Sequence, residues 1–175
     1  VTVSDLSVNT SYQFKVKARN ADNIETDLSS ANTAVYTLAN TPGTPTVNNA
    51  NTSTLDVVIN TNSNPASTEY AIQEVSSGNY IQANGTLSAS EAWQDNSTWG
   101  TATVANLSVN TAYQFKVKAR NGDDTETSLS SANTAVYTLV NTPGTPTVNN
   151  ANTSTLDVTI DTNSNPVGVE YAIQE

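Results

Sequence analysis

Leu107-Ser108-Val109-Asn110-Thr111-Ala112-Tyr113-Gln114-Phe115-Lys116-Val117-Lys118-Ala119-Arg120-Asn121 is the stretch that decides the fold class of this chain. Its second half sets Tyr113, Phe115, Val117 and Ala119 on one side and Gln114, Lys116, Lys118 and Arg120 on the other, the period of two of a half-buried β-strand. A second such strand lies at Ser53 to Asn60, where Leu55, Val57 and Ile59 share one face and Asp56, Val58 and Asn60 the other. Tyr70 and Ile72 continue the pattern after a turn at Asn62-Ser63-Asn64-Pro65, and a less regular last strand is expected around Ala135-Val136-Tyr137-Thr138-Leu139. No segment sustains a helical period, so the expected class is all-β.

The same stretch is a copy. Leu6-Ser7-Val8-Asn9-Thr10 matches Leu107-Ser108-Val109-Asn110-Thr111 at an offset of 101 residues, and the match runs from Val1 with Ala102 to Glu74 with Glu175. Only 14 of these 74 aligned positions differ, which identifies a tandem duplication. A period of 101 is too long for a solenoid repeat and has the size of one independent β-sandwich. The natural cuts fall at Asn40-Thr41-Pro42-Gly43-Thr44-Pro45 and Asn141-Thr142-Pro143-Gly144-Thr145-Pro146, where paired prolines interrupt ladder pairing. The expected organisation is therefore the C-terminal half of a domain at 1–39, a complete domain at 40–140 and the N-terminal half of the next at 141–175. Differences between copies fall at Val58/Thr159 and Asn60/Asp161, on the face assigned to solvent, and four more crowd into Ala21 to Asp27, read as a loop between the last two strands.

From Leu107 to Asn121 the sequence resembles the fibronectin type III family at its turn into the sixth strand. In that family a leucine plugs the end of the sandwich, and a tyrosine six residues later bonds back to the upstream backbone. The resemblance assigns these structural roles to Leu107 and Tyr113, and to Leu6 and Tyr12 in the first copy. It implies tandem immunoglobulin-like, fibronectin type III-like β-sandwiches over nearly the whole chain. Two departures stand out: Val8 and Val109 sit where the family often has proline, and the second strand lacks the usual tryptophan. The Thr/Asn/Ser-rich, cysteine-free style and near-identical repeats resemble large bacterial surface or secreted proteins, so the expected location is extracellular or at the cell surface.

Composition narrows the chemistry. The 24 Asn, 28 Thr and 19 Ser make up about two-fifths of the 175 residues, suited to strands joined by polar turns. There is no Cys, Met or His, which removes the usual ligands of zinc, haem and iron–sulfur sites and the base of a Ser-His-Asp triad. The net charge of −10 repels a phosphate backbone, so nucleic acid is not an expected partner. No stretch reaches the length of a membrane span and no leader resembles a signal peptide. No catalytic pair of carboxylates can be assigned, so no enzyme, cofactor or metal site is expected.

Several residues are candidates for contact with a ligand. Trp93 and Trp99 either supply core bulk in place of the missing tryptophan or form a platform for stacking a sugar, and the scarcity of other large apolar residues favours the first reading. Asp123, Asp124 and Glu126 could gather oxygens for calcium, as could Asp22, Glu25 and Asp27, but the loops do not keep the same acidic positions and solvated turns are favoured. All six basic residues lie on two copies of one strand, Lys15, Lys17 and Arg19, then Lys116, Lys118 and Arg120, spaced about 6.6 Å apart on an outward face. That stripe suits either an acidic polysaccharide or cross-strand pairing with Glu69 or Glu170, the favoured reading.

The expected function is structural: part of a rod, stalk or filament whose partners are neighbouring copies of itself, the alternative being an adhesin or carbohydrate-binding module that meets a glycan or host protein. The two terminal segments would each leave a half-finished sheet. Either they are a window onto a longer polypeptide, or the tail of one chain completes the head of the next by strand complementation.

Overall fold

The structure, a computed structural model, describes residues 1–175. In chain order the strands are β1 (Ser11–Tyr12), β2 (Val35–Tyr36), β3 (Gly43–Asn48), β4 (Leu55–Asn60), β5 (Glu69–Glu74), β6 (Tyr80–Ile81) and β7 (Leu87–Ser88). They continue as β8 (Gln94–Asp95), β9 (Thr101–Val104), β10 (Ala112–Tyr113), β11 (Phe115–Arg120), β12 (Val136–Tyr137), β13 (Thr147–Asn149) and β14 (Asp157–Thr159). One helical turn, α1 (Asn96–Trp99), is capped at its start by the Asp95 carboxylate, which accepts the Thr98 N–H at 2.7 Å. The chain is thus all-β apart from four residues, and no helix is long and apolar enough to cross a membrane.

Two antiparallel sheets share one core. The first has the order β3-β4-β9, with Leu55 opposite Val104 and Val57 between Val47 and Ala102. Its edge strand β3 carries Pro45 at a shift of register between Gly43 and Thr46, a place where a missing N–H costs no ladder bond. The second sheet runs β11-β5-β6-β7, with β8 also pairing β5; Phe115, Val117 and Ala119 lie opposite Glu74, Ile72 and Tyr70. Leu55, Val57 and Ile59 from one sheet and Tyr70, Ile72, Phe115 and Val117 from the other are buried together with Trp99, Val104 and Leu107. Because the pleat sends alternate side chains to opposite faces, these residues form the inner layer of a β-sandwich.

The free edge of β11 is closed without a regular strand. Thr127, Ser130 and Asn133 each donate a backbone N–H to a β11 carbonyl, of Ala119, Val117 and Phe115 in turn, at 2.8, 2.8 and 3.3 Å. Their side-chain oxygens accept the N–H groups of the same three residues at 3.0, 3.0 and 2.6 Å. A spacing of three on this segment therefore meets a spacing of two on β11, and each polar side chain replaces a carbonyl that a strand would have supplied. Thr26, Ser29 and Asn32 repeat the arrangement against Ala18, Val16 and Phe14.

Residues 1–39 and 141–175 carry the matching pieces with their inner faces uncovered. Phe14 and Val16 are 46% and 71% exposed, whereas Phe115 and Val117 are fully buried. Leu156 is 60% exposed where Leu55 is fully buried.

The residue Trp93 departs from the expectation of a core tryptophan. It sits on the outer face of the second sheet, outside the core cluster, with Lys118 Nζ 5.2 Å and Arg120 Cζ 4.8 Å from its ring centroid. Lys118 in turn is only 8% exposed, although alternation sends it outward, because Trp93 and Tyr80 cover that face. The expected last strand is also shorter than the sequence suggested, reduced to Val136–Tyr137.

Candidate functional site

The connection between residues 1–39 and the sandwich has almost no slack. On its near side the Asn9 N–H donates to the Leu38 carbonyl at 3.2 Å. On its far side the Asn40 N–H donates to Asn64 Oδ1 at 2.7 Å, and Asn64 Nδ2 returns a bond to the Asn40 carbonyl at 2.8 Å. Asn62 Nδ2 adds a bond to the Thr41 carbonyl at 2.9 Å. Asn62 and Ser63 have positive φ values of 49° and 60°, a left-handed turn that asparagine tolerates and that brings both amides to the linker. Only Ala39 lies between the two held residues.

The second connection reproduces this clasp. Asn110 N–H to the Leu139 carbonyl spans 3.3 Å, Asn141 N–H to Asn165 Oδ1 spans 2.7 Å, and Asn165 Nδ2 reaches the Asn141 carbonyl at 2.8 Å. Asn163 Nδ2 bonds the Thr142 carbonyl at 2.8 Å. A bidentate amide on a backbone amide fixes orientation as well as distance, because both bonds must stay in line.

A second set of bonds crosses the first connection. Asn9 donates Nδ2 to Thr68 Oγ1 at 2.8 Å, and its Oδ1 accepts the Gly122 N–H at 2.9 Å. Asn121 Nδ2 donates to the Thr37 carbonyl at 3.1 Å, and the Asp123 carboxylate accepts the Tyr36 N–H at 2.7 Å. Asn9, Thr68 and Asn121 are all buried polar residues, so these partners satisfy groups that would otherwise be desolvated at a cost.

The remaining sequence candidates lie elsewhere. Asp123, Asp124 and Glu126 do not converge: Asp123 faces Tyr36, Asp124 pairs with Arg120 at 3.1 Å, and Glu126 pairs with Lys118 at 2.6 Å. Lys118 also bonds Glu91 at 2.6 Å, and Arg120 bonds Glu69 at 2.6 Å, so two of the three basic residues of this strand are engaged by carboxylates, and Lys116 is not. Burial alone would lower the Lys118 pKa, but the bonds from Glu126 and Glu91 outweigh it and hold the ammonium above its ordinary value. Glu91 is held below its ordinary value chiefly by its bond to Lys118.

Trp99 is buried in the core and donates its indole N–H to the Tyr70 carbonyl at 2.9 Å, which leaves no exposed ring for stacking. Leu107 lies in the core, and the Tyr113 hydroxyl accepts the Ser108 N–H at 2.9 Å; Tyr12 accepts the Ser7 N–H at 2.9 Å, while Leu6 is half-buried. A cleft of about 390 Å³ opens between the β6–β7 hairpin and β9, with Gln82, Asn84, Gln94 and Thr98 above Trp99 and no charged residue. Sequence reasoning missed Asn9, Asn64 and Thr68, since nothing local distinguishes them among so many Asn and Thr residues.

No protein-family model matches the chain, and no curated protein does. Among solved structures it is similar to the chicken CNTN1 FN1-FN3 domains at 20% identity and a TM-score of 0.44, covering 77% of this chain and 44% of that one. It is similar to domains d3-d4 of the rat CD45 extracellular region at 19% identity and a TM-score of 0.43, covering 79% of this chain and 68% of that one. A computer-based redesign of a β-sandwich protein is matched at 20% identity and a TM-score of 0.39, over 58% of this chain and 97% of that one. The chain spans less than half the length of the CNTN1 structure it matches.

Proposed function

We propose that the chain is a stretch of an extracellular rod, stalk or filament at a bacterial surface, built from fibronectin type III-like units of 101 residues whose successive parts here are 1–39, 40–140 and 141–175. The observation that carries this reading is the pair of clasps at Asn40/Asn64 and Asn141/Asn165, which holds each connection on both sides of a single residue. Linkers that only tether have no need of matched bidentate bonds. Linkers that transmit direction do, and repetition of one fixed angle produces length.

The role is mechanical and uses no catalytic residue. The sealed edge of β11 supports it, since a rod of many sandwiches presents many edges and each open one is a site for unwanted pairing. The net charge of −10 keeps neighbouring rods apart. The uncovered faces of Phe14, Val16, Leu156 and Val158 are completed in the rod by the strands that cover Phe115, Val117, Leu55 and Val57, supplied by the same polypeptide or by a second copy.

Electron microscopy of the native material, with intact mass under denaturing conditions, tests the reading. Beaded fibres with a denatured mass far above 18.4 kDa are expected for one covalent stalk, and fibres that dissolve to 18.4 kDa chains for complementation between copies. Isolated globules would overturn the rod.

The uncharged cleft beside Trp99 favours one second reading, a module for a neutral, hydroxyl-rich ligand such as a glycan, because the Gln94 amide and Thr98 hydroxyl that line it suit such groups. A glycan array with Gln94→Ala and Thr98→Ala variants tests it; binding lost in folded variants supports the module, and no binding by the native chain removes it.

A further inference from the structure

The chain presents the same edge at both connections but receives it on two different surfaces. Ser7 to Thr10 and Val35 to Leu38, which carry the presenting groups, recur unchanged as Ser108 to Thr111 and Val136 to Leu139. The two receiving segments, 66–68 and 122–125, hold six of the 14 differences between copies. Ala66, Ser67 and Thr68 are replaced by Val167, Gly168 and Val169, while Gly122, Asp124 and Thr125 stand where the first copy has Ala21, Asn23 and Ile24.

Two of these differences bear directly on the contact. Thr68 supplies the hydroxyl that accepts from Asn9, which is 3% exposed; at the next connection the corresponding residue is Val169, which has no acceptor to offer Asn110. Tyr36 lies so close over Gly122 that a Cβ there would stand 2.5 Å from its ring, well inside carbon contact distance. Ala21 holds that place in the first copy, so a unit with alanine there cannot seat the tyrosine of its predecessor in the same way.

We propose that Thr68 and Gly122 are the specificity residues of a lock between successive units. A unit carrying both fixes its predecessor through Asn9 and Tyr36, and a unit carrying Val and Ala at these places lacks the acceptor for Asn9 and the seat for Tyr36. Each flanking segment carries the non-locking residue at the one key position it contains, Ala21 in the first and Val169 in the third. The connection into 40–140 is therefore locked, whereas the connection into 141–175 has Val169 where an acceptor for Asn110 would stand. This inference rests on the rod reading and adds to it the residues that fix a joint.

The absence of cysteine allows the test in the whole chain. Nitroxide labels at Ala31→Cys with Ala89→Cys span the first connection, and at Ala89→Cys with Ala151→Cys the second; all three positions are exposed. Distance distributions by pulsed electron spin resonance are expected to show one narrow peak across the first connection. Gly122→Ala and Thr68→Val should each abolish the narrow peak. Alanine is already accepted at the matching place in the first copy, so the melting temperature of Gly122→Ala should stay unchanged; if it falls, Thr68→Val carries the test. A narrow peak that survives both variants overturns the lock. Fibres seen by microscopy alongside either result would leave the rod standing and remove only the lock.

Discussion

The indole N–H of Trp99 donates to the Tyr70 carbonyl across 2.9 Å, which fastens the single helical turn to a strand of the second sheet from inside the core. Truncating this side chain should create a cavity and orphan a buried carbonyl together. Trp99→Ala is expected to cost about 3 to 5 kcal/mol, and Trp99→Phe, which keeps much of the ring, about 1 to 3 kcal/mol. Trp93 lies on the outer face, covering Lys118 beside Arg120, and Trp93→Ala should cost about 1 to 2 kcal/mol, the scale of partly desolvated cation–ring contacts. Guanidinium unfolding of the three variants checks the order; equal losses for Trp93 and Trp99 would contradict the placement of the two rings.

Ser130 completes the buried edge of β11 by accepting the Val117 N–H at 3.0 Å, and Asn133 does the same for Phe115 at 2.6 Å. Ser130→Ala and Asn133→Ala each leave a buried donor unpaired, at an expected cost of about 1 to 3 kcal/mol. The first copy gives an internal control. Ser29 accepts from Val16, which is exposed to water, so Ser29→Ala should cost far less. Denaturant midpoints of Ser130→Ala and Ser29→Ala that fall together would show that the side-chain bond does not seal the edge.

These residues also mark where reading the sequence succeeds and where it stops. Leu55, Val57 and Ile59 point inward as alternation requires, because the pleat of one strand decides their facing. Phe115 and Val117 follow for the same reason. Lys118 obeys the alternation and is nevertheless buried, since its cover comes from Tyr80 and Trp93 in a segment that has no second copy in the chain to reveal its pattern. The edge segment Thr127, Ser130 and Asn133 keeps a spacing of three, which matches neither a strand nor a helix, and so reads as loop. Asn40 and Asn64 are 24 residues apart, and such a separation carries no periodic signal at all.

Glu74 is a buried carboxylate whose stabilisation should depend on pH. Burial alone would raise its pKa, but the Ser77 hydroxyl and the N–H groups of Ser76 and Ser77 offset this and hold it below the ordinary 4.5. A depressed folded value means the contribution is present in full above the unfolded pKa and is lost as pH falls through the folded one. Glu74→Gln should therefore lower stability by a constant amount at neutral pH, and that difference should shrink on acidification below 4.5. Paired urea titrations of the native chain and the variant from neutral to acidic pH check it; a difference independent of pH would mean that the carboxylate charge contributes nothing.

Asn64 and Asn165 make the same two bonds to the backbone of Asn40 and Asn141, yet their removal should have unequal consequences. Each alanine variant frees one linker amide and one carbonyl, at a cost of about 1 kcal/mol or less, because water can reach these half-buried groups. Direction, rather than stability, is what each clasp supplies. After Asn64→Ala the first connection still has the bonds of Asn9, Asn121 and Asp123 across it, so its distance distribution should broaden only in part. After Asn165→Ala the second connection has no counterpart of the Asn9–Thr68 bond, because Val169 stands there, and its distribution should broaden more. Broadening of the same extent at both would show that the clasp alone sets the angle, and no broadening at either would assign it to the prolines.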